Sequence, residues 1–287
     1  AFINRLNDLP KMEVPKVTGE LATGVAEIFA AKPLCGGCGA KVGRGVLSSA
    51  LTKITPPFDE VVTGAGDDAA VLRQSNGTFQ VISTDHLRSL IDDPALMTRI
   101  AAVHALGDVW AMGAQPQVGL ASIVVPQMSA DLQARTLTEI TQVATEVLSA
   151  AGAQLVGGHT TMGAELTIGF TVTGSKDTMP LTVFGAQPGD VLILTRPIGS
   201  GVILAADMEG HAHGRFVVAV LAIMGQAQDR EAAVLAPVAH AMTDVTGFGL
   251  AGHVKAICEA SGLDAELWQA AIPIYAGAQA LSDAGVA

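Results

Sequence analysis

Two thiols, three glycines and a lysine fall within eight residues, Leu34-Cys35-Gly36-Gly37-Cys38-Gly39-Ala40-Lys41. The stretch holds a nucleophile, a permissive backbone and a cation together, and a nearby ammonium favours the thiolate form of a cysteine. Cys35 and Cys38 also have the CxxC spacing of a redox pair or half a zinc knuckle. A structural zinc site needs a second pair, and only Cys258 remains, with no matching spacing to the seven histidines. A thioredoxin-like pair needs a βαβ context with a helix starting at the motif. Spacing alone leaves two readings open, an activated thiol beside Lys41 and a flexible loop with incidental thiols.

Carboxylates supply a second kind of chemistry. Asp68, Asp85, Asp108 and Asp244 are scattered through the chain, each beside glycine, threonine or an otherwise apolar element. Singly, each reads as a cap or turn residue. Together they offer hard oxygen ligands of the kind that suits Mg²⁺, which takes a few carboxylates plus substrate phosphates. In Gly66-Asp67-Asp68-Ala69-Ala70-Val71 the two neighbouring carboxylates point opposite ways if the segment is extended, so one binds and the other holds the turn. Gly157-Gly158-His159-Thr160-Thr161 can present N–H groups and hydroxyls to phosphate at a strand end. His159 reads equally as a ligand contact or an ordinary loop histidine, and His104, His240 and His253 read as structural or surface residues. Gly247 to Gly252 matches GxGxxG, but no clean buried strand precedes it and Asp244 would repel a bare pyrophosphate. No GxxxxGK[ST] occurs, which excludes a Walker-type site.

The elements that must position these groups follow from pattern. Val46 to Ile54 reads as a short apolar helix, and Thr78 to Thr84 as a strand with Asp85 at its C-terminal end. Asp93 as N-cap with Pro94 in the first turn opens a helix to about Met112 that carries Asp108 and ends at Gly113. Val118 to Val125 reads as a strand, and Ser129 caps a one-faced helix through Leu148 that Gly152 stops. Gln154-Leu155-Val156 and Glu165 to Thr173 follow as strands. The polar connector Lys176 to Pro180 is taken as the domain boundary, and Gly189 to Thr195 as the first strand of the second half.

The 287 residues are 49% hydrophobic and 15% charged, which places the chain in the globular class and gives it room for a large core. Phe216 to Met224 is among the longest apolar runs, too short to span a bilayer, so no membrane partner is expected. A net charge of −11 lacks the basic footprint that grips nucleic acid. Three cysteines, an odd number with no secretory signal, point to a reducing compartment, the cytoplasm. Residues 1–30 read as a linker or processed end, and both ends of the chain read as those of a fragment.

Taken in order, GCGAK (Gly37 to Lys41), GDDAAV (Gly66 to Val71), STD (Ser83 to Asp85), GDVWAMG (Gly107 to Gly113), GGHT (Gly157 to Thr160) and TDVTGFGLAGH (Thr243 to His253) resemble selenophosphate synthetase, the selenide, water dikinase family. GDDAAV and the helix with AMG occur across the wider superfamily of aminoimidazole ribonucleotide synthetase and thiamine-monophosphate kinase. GCGxK and TDVTGFG select the selenium enzyme.

The resemblance implies conversion of ATP, selenide and water to selenophosphate, phosphate and AMP. It implies Cys38 as the catalytic residue and Lys41 as a contact to the ATP phosphates. Asp68, Asp108 and Asp244 would hold Mg²⁺, and Ala65, Gly66, Asp67, Asp85, Asp108, Gly158, His159 and Thr160 would lie around the nucleotide. The implied fold is α/β plus α+β: residues 31–176 as an ATP-binding and dimerisation domain, 181–287 as an incomplete α+β domain. The implied assembly is a homodimer whose N-terminal strands join across subunits into a β-barrel, with ATP near the interface and Lys41 from the partner chain. Ala40 stands where the common form has a second cysteine, and Gly107 and Thr160 where serines are often found. The Asn7-Asp8-Leu9-Pro10 segment resembles the joint of proteins that fuse a flavin-dependent oxidoreductase to this synthetase. The competing expectations are another small-metabolite kinase or ligase of the superfamily and a non-catalytic nucleotide-binding module.

Overall fold

A computed structural model describes residues 42, 44–51 and 58–286. All of them belong to one compact unit, Leu34–Ala287. Cys35, Cys38 and Lys41 lie outside the described residues, as does the end of the helix expected to reach Ile54, which is seen as α1 (Arg44–Leu51).

One mixed sheet organises the N-terminal half. Its strands are β1 (Val61–Thr63), β2 (Ala70–Arg73), β3 (Phe79–Arg88), β4 (Gln115–Pro126), β5 (Gln154–Gly163) and β6 (Thr167–Lys176), in the order β1-β2-β3-β6-β4-β5. Neighbours run antiparallel except β4 and β5, which are parallel because α3 (Ala130–Ala150) carries the chain from one to the other. One face of the sheet takes α2 (Pro94–Ala111) on β3 and β6, with α3 beside it. The alternation expected of a half-covered sheet follows: Val81, Leu87, Ile123, Val125, Ile168, Phe170 and Val172 are buried.

The capping signals act as their sequence predicts. Asp93 accepts from the Ala95 and Leu96 amides at 2.9 and 3.0 Å, Pro94 sits in the first turn, and Gly113 ends α2 at φ +63°. Ser129 accepts from the Leu132 amide at 3.4 Å at the start of α3. Whereas α3 is apolar along one face, α2 has buried residues all round, from Met97 to Ala111. It lies between the sheet and two C-terminal helices, α5 (Gly214–Met224) and α6 (Asp229–Leu235). A helix wrapped this way fixes any polar group it carries.

Three strands differ from expectation. β3 runs four residues past Thr84, so Asp85 lies within the strand, because β6 pairs it in unbroken register from Phe79–Lys176 to Arg88–Thr167. β5 continues through Gly157-Gly158-His159-Thr160, which the sequence presents as a loop at a strand end. Glycine weakens a strand in isolation, yet β4 supplies a partner at every one of these positions. Gly189 to Thr195 forms no strand. Val191 is 82% and Ile193 66% exposed, and among the described residues nothing pairs with them. A period-2 pattern becomes a strand only where a neighbour takes its hydrogen bonds.

The rest of the second half is helical, with α4 (Ser200–Met208), α7 (Gly249–Ser261) and α8 (Ala278–Asp283), and an isolated bridge between Ile198 and Ile274. The connector after β6 stitches the halves together. Leu181 donates to Met112 O at 3.0 Å, Met242 to Thr182 O at 3.2 Å, and the Gly185 and Ala186 amides both donate to Ser261 Oγ at 3.2 Å. The loop carrying Asp244 is thereby anchored beside α2.

Candidate active site

Three carboxylates from distant parts of the chain meet at the sheet face of α2. Asp68 comes from the turn before β2, Asp108 from the last turns of α2, and Asp244 from the loop before α7. One oxygen of each lies within 4.8 Å of the others, the spacing of groups that share a cation. Gly107, beside Asp108, also borders Asp244: a Cβ there would sit 3.4 Å from Asp244 Oδ2, in ordinary van der Waals contact.

Burial and mutual repulsion make this cluster costly without a positive charge. Burial first, then the Asp244 charge, push the Asp68 carboxyl up to about 8. Asp108 is also held well above the usual carboxylate range, by burial, then by Asp244 and Asp85. Asp68 Oδ2 is buried without a hydrogen-bond partner among the described residues. Oxygen donors, an orphaned carboxylate oxygen and like charges at short range fit a hard divalent cation.

Neighbouring side chains orient the cluster. Asp67 and Asp68 divide their work as adjacent residues must: Asp67 Oδ1 accepts from the Asp68 amide at 2.9 Å and Oδ2 from the Val183 amide at 3.1 Å. Asp67 holds the turn, while Asp68 faces the cluster. Burial raises the Asp67 carboxyl as well, and the two amide bonds oppose the shift. Ser83 Oγ donates to Asp108 Oδ2, and His104 Nε2 lies 3.3 Å from Asp85 Oδ2. Ser83 and Asp85 are two apart on β3, so they share a face, and His104 and Asp108 are one turn apart on α2. The spacings match, about 6.7 Å along a strand and about 6 Å along a helix, so the two pairs engage together.

The signals for Ser83 and His104 were present in these i,i+2 and i,i+4 spacings, although sequence reading assigns neither to the site. Thr243 and His253 are further additions. Thr243 Oγ1 donates to Asp68 Oδ1 at 2.8 Å, and His253 is buried at the start of α7, in keeping with the structural rather than the surface reading of it.

The remaining residues named from sequence divide in two. Ala65, Gly66, Asp67 and Asp85 stand beside the carboxylates in the turn before β2 and on β3. Gly158, His159 and Thr160 do not. The register Asp85–Phe170–Ala121–Gly158 runs across β3, β6, β4 and β5, which puts Gly158 three strand spacings from Asp85, about 14 Å. Gly158, His159 and Thr160 are exposed on the edge strand.

The chain matches the AIR synthase related protein N-terminal domain over residues 66–175 and the corresponding C-terminal domain over 187–284. A selenide, water dikinase of Burkholderia pseudomallei is 36% identical over 262 residues, covering 88% of this chain and 72% of the relative. One from Desulfitobacterium hafniense is 38% identical over 251 residues, covering 85% and 72%. The chain belongs to the selenide, water dikinase family. A thiamine-monophosphate kinase from Stenotrophomonas maltophilia shares the fold, with a TM-score of 0.63 at 21% identity over 83% of this chain and 79% of that one. The two matched domains of this selenide, water dikinase family member meet at the carboxylate cluster: Asp68 and Asp108 lie in the first, Asp244 in the second.

Proposed function

We propose that this chain catalyses the reaction of ATP, selenide and water to selenophosphate, phosphate and AMP. The observation that carries the reading is the gathering of Asp68, Asp108 and Asp244 within 4.8 Å in a chain 36% identical to a selenide, water dikinase over most of its length. It is a phosphotransferase, with ATP and selenide as small-molecule substrates.

Asp68, Asp108 and Asp244 hold Mg²⁺, and Asp108 also borders the nucleotide. The cation, when bound, neutralises polyphosphate charge and offsets the repulsion among the three carboxylates. Ser83 and Thr243 donate to the two aspartates and fix which oxygens face the cation. Ala65 and Gly66 bring backbone to the phosphates, Asp67 keeps that turn in shape, and Asp85, braced by His104, borders the nucleotide. Lys41 contacts the phosphates as a point charge and Cys38 serves as the nucleophile toward the chalcogen. A thiol of this kind must stay reduced, which fits the cytoplasm.

Residues 31–176 act as the ATP-binding and dimerisation half and 181–287 as the half that contributes Asp244. The working unit is a homodimer. β5 is an edge strand, with Val156 and Met162 52% and 68% exposed, and Leu120 on the adjoining strand is 45% exposed. A second copy laid against this edge brings Gly158, His159 and Thr160 to a nucleotide that the first copy holds by its carboxylates, and covers apolar surface that water otherwise meets.

Phosphorus NMR of the products tests the reaction. With ATP and selenide, a phosphorus resonance coupled to selenium is expected together with AMP, and both are lost in Cys38→Ala and Lys41→Ala. ATP turnover that ignores selenide, or product formation unchanged in both variants, overturns the reading.

A further inference from the structure

Thr243 and His253 form a directional hydrogen-bond chain that ends on Asp68. The Thr246 backbone N–H donates to His253 Nε2 at 3.1 Å. A backbone amide can only donate, so Nε2 must be the bare nitrogen and a neutral ring carries its proton on Nδ1. His253 Nδ1 lies 3.3 Å from Thr243 Oγ1. With Nδ1–H donating to it, the threonine oxygen must send its own proton elsewhere. The nearer acceptor is Asp68 Oδ1 at 2.8 Å, against Asp244 O at 3.2 Å. One oxygen of Asp68 is thus occupied, while Oδ2 is left buried with no hydrogen-bond partner among the described residues.

We infer that His253 is a positioning residue that fixes the direction of the Thr243 hydroxyl and thereby presents Asp68 Oδ2 to the divalent cation. The inference rests on the cation site proposed above. In the opposite tautomer Nδ1 would be an acceptor, the threonine proton would turn to the ring, and Asp68 Oδ1 would lose the Thr243 hydroxyl as a donor. The Thr246 amide, set by the turn that starts α7, selects against that tautomer. The start of α7 is in this way coupled to a ligand 175 residues from Thr243.

A plain structural role for His253, tying down the loop through Thr246, predicts the opposite ranking of two variants. Glutamine reaches the Nε2 position and keeps the Thr246 contact but lacks the Nδ1 donor. Asparagine places an N–H near the Nδ1 position and loses the Thr246 contact. The probe is Mn²⁺, titrated into the full chain and followed by electron paramagnetic resonance. Relative to wild type, His253→Asn is expected to bind within about threefold, and His253→Gln on the order of 10- to 100-fold more weakly. Thr243→Ser is expected to bind like wild type and Thr243→Val to weaken binding as His253→Gln does. His253→Gln adds nothing in the Thr243→Val background. Nitrogen NMR of His253 in the wild type, without metal, is expected to show the proton on Nδ1. Equal binding by the Asn and Gln variants, stronger binding by Gln, or a proton on Nε2 overturns the inference. A wild-type chain that binds no Mn²⁺ instead overturns the cation site beneath it.

Discussion

The Val183 amide donates to Asp67 Oδ2 at 3.1 Å, joining residues 116 apart in the chain. Because Oδ1 of the same side chain takes the Asp68 amide, one carboxylate both shapes the turn that aims Asp68 and ties the connector to it. Asp67→Ala strands two partly buried amides and is expected to cost about 1–3 kcal/mol, whereas Asp67→Asn, which keeps one acceptor, costs less. Urea denaturation at constant m-value measures both. Equal stability of Asp67→Ala and wild type would show that neither bond matters.

Charge at the cluster gives stability a pH dependence of definite sign. In the folded state without cation, Asp68 titrates at about 8 and Asp108 well above the usual range, against a value of 3.8 for an unperturbed aspartate. Between those limits the folded state binds more protons than the unfolded one, so stability falls as pH rises. Chelator-treated protein is expected to melt at a lower temperature at about pH 8 than at about pH 5. Saturating Mg²⁺ should remove most of that loss. Its binding at neutral pH should release protons, and its apparent affinity should rise toward about pH 8. Calorimetry in two buffers of different ionisation enthalpy reads the proton release directly.

Local signals in the sequence were sufficient for α2 and α3, since Asp93-Pro94 and Ser129 act through bonds to residues two or three positions on. The carboxylate set was legible as residue types, and the resemblance named Asp68, Asp108 and Asp244 together. Their meeting depends on the connector bonds from Leu181, Val183 and Met242, which no local pattern shows. β5 extends past its sequence pattern because two glycines lower strand propensity where β4 decides the outcome, and Gly189 to Thr195 forms no strand because its strand-like pattern has no partner among the described residues. His253 escaped because its chemistry depends on Thr246 and Thr243 being folded back onto its ring.

Gly158 shows how close the β5 pairing is. A Cβ at this position would lie 2.0 Å from Ala121 O and 2.8 Å from Ala121 C, both backbone atoms that cannot rotate aside. Gly158→Ala must therefore part β4 from β5 and is expected to cost about 1–3 kcal/mol or more. Gly64→Ala, where a Cβ meets nothing within 4 Å, is the control and should stay within about 0.5 kcal/mol of wild type. Thermal melts of the two variants measured side by side check this, and a Gly158→Ala melt matching the control would rule out the close approach.

Asp244→Asn separates stability from function at the cluster. The Asp244 charge is the second-largest cause raising both Asp68 and Asp108, after burial. Neutralising it relieves repulsion in the cation-free protein, while the three-oxygen site loses a charged ligand. The variant is expected to melt higher than wild type near pH 8 in chelator, since like charges at short range no longer compete. Adding Mg²⁺ should shift its melt far less than it shifts wild type, because stabilisation by a ligand follows its affinity for the folded state. Selenophosphate formation should fall at least tenfold, in the range seen when a metal site loses orientation or a ligand. A variant destabilised in chelator yet still shifted fully by Mg²⁺ would place the cation elsewhere and leave Asp244 as a structural residue of the loop before α7.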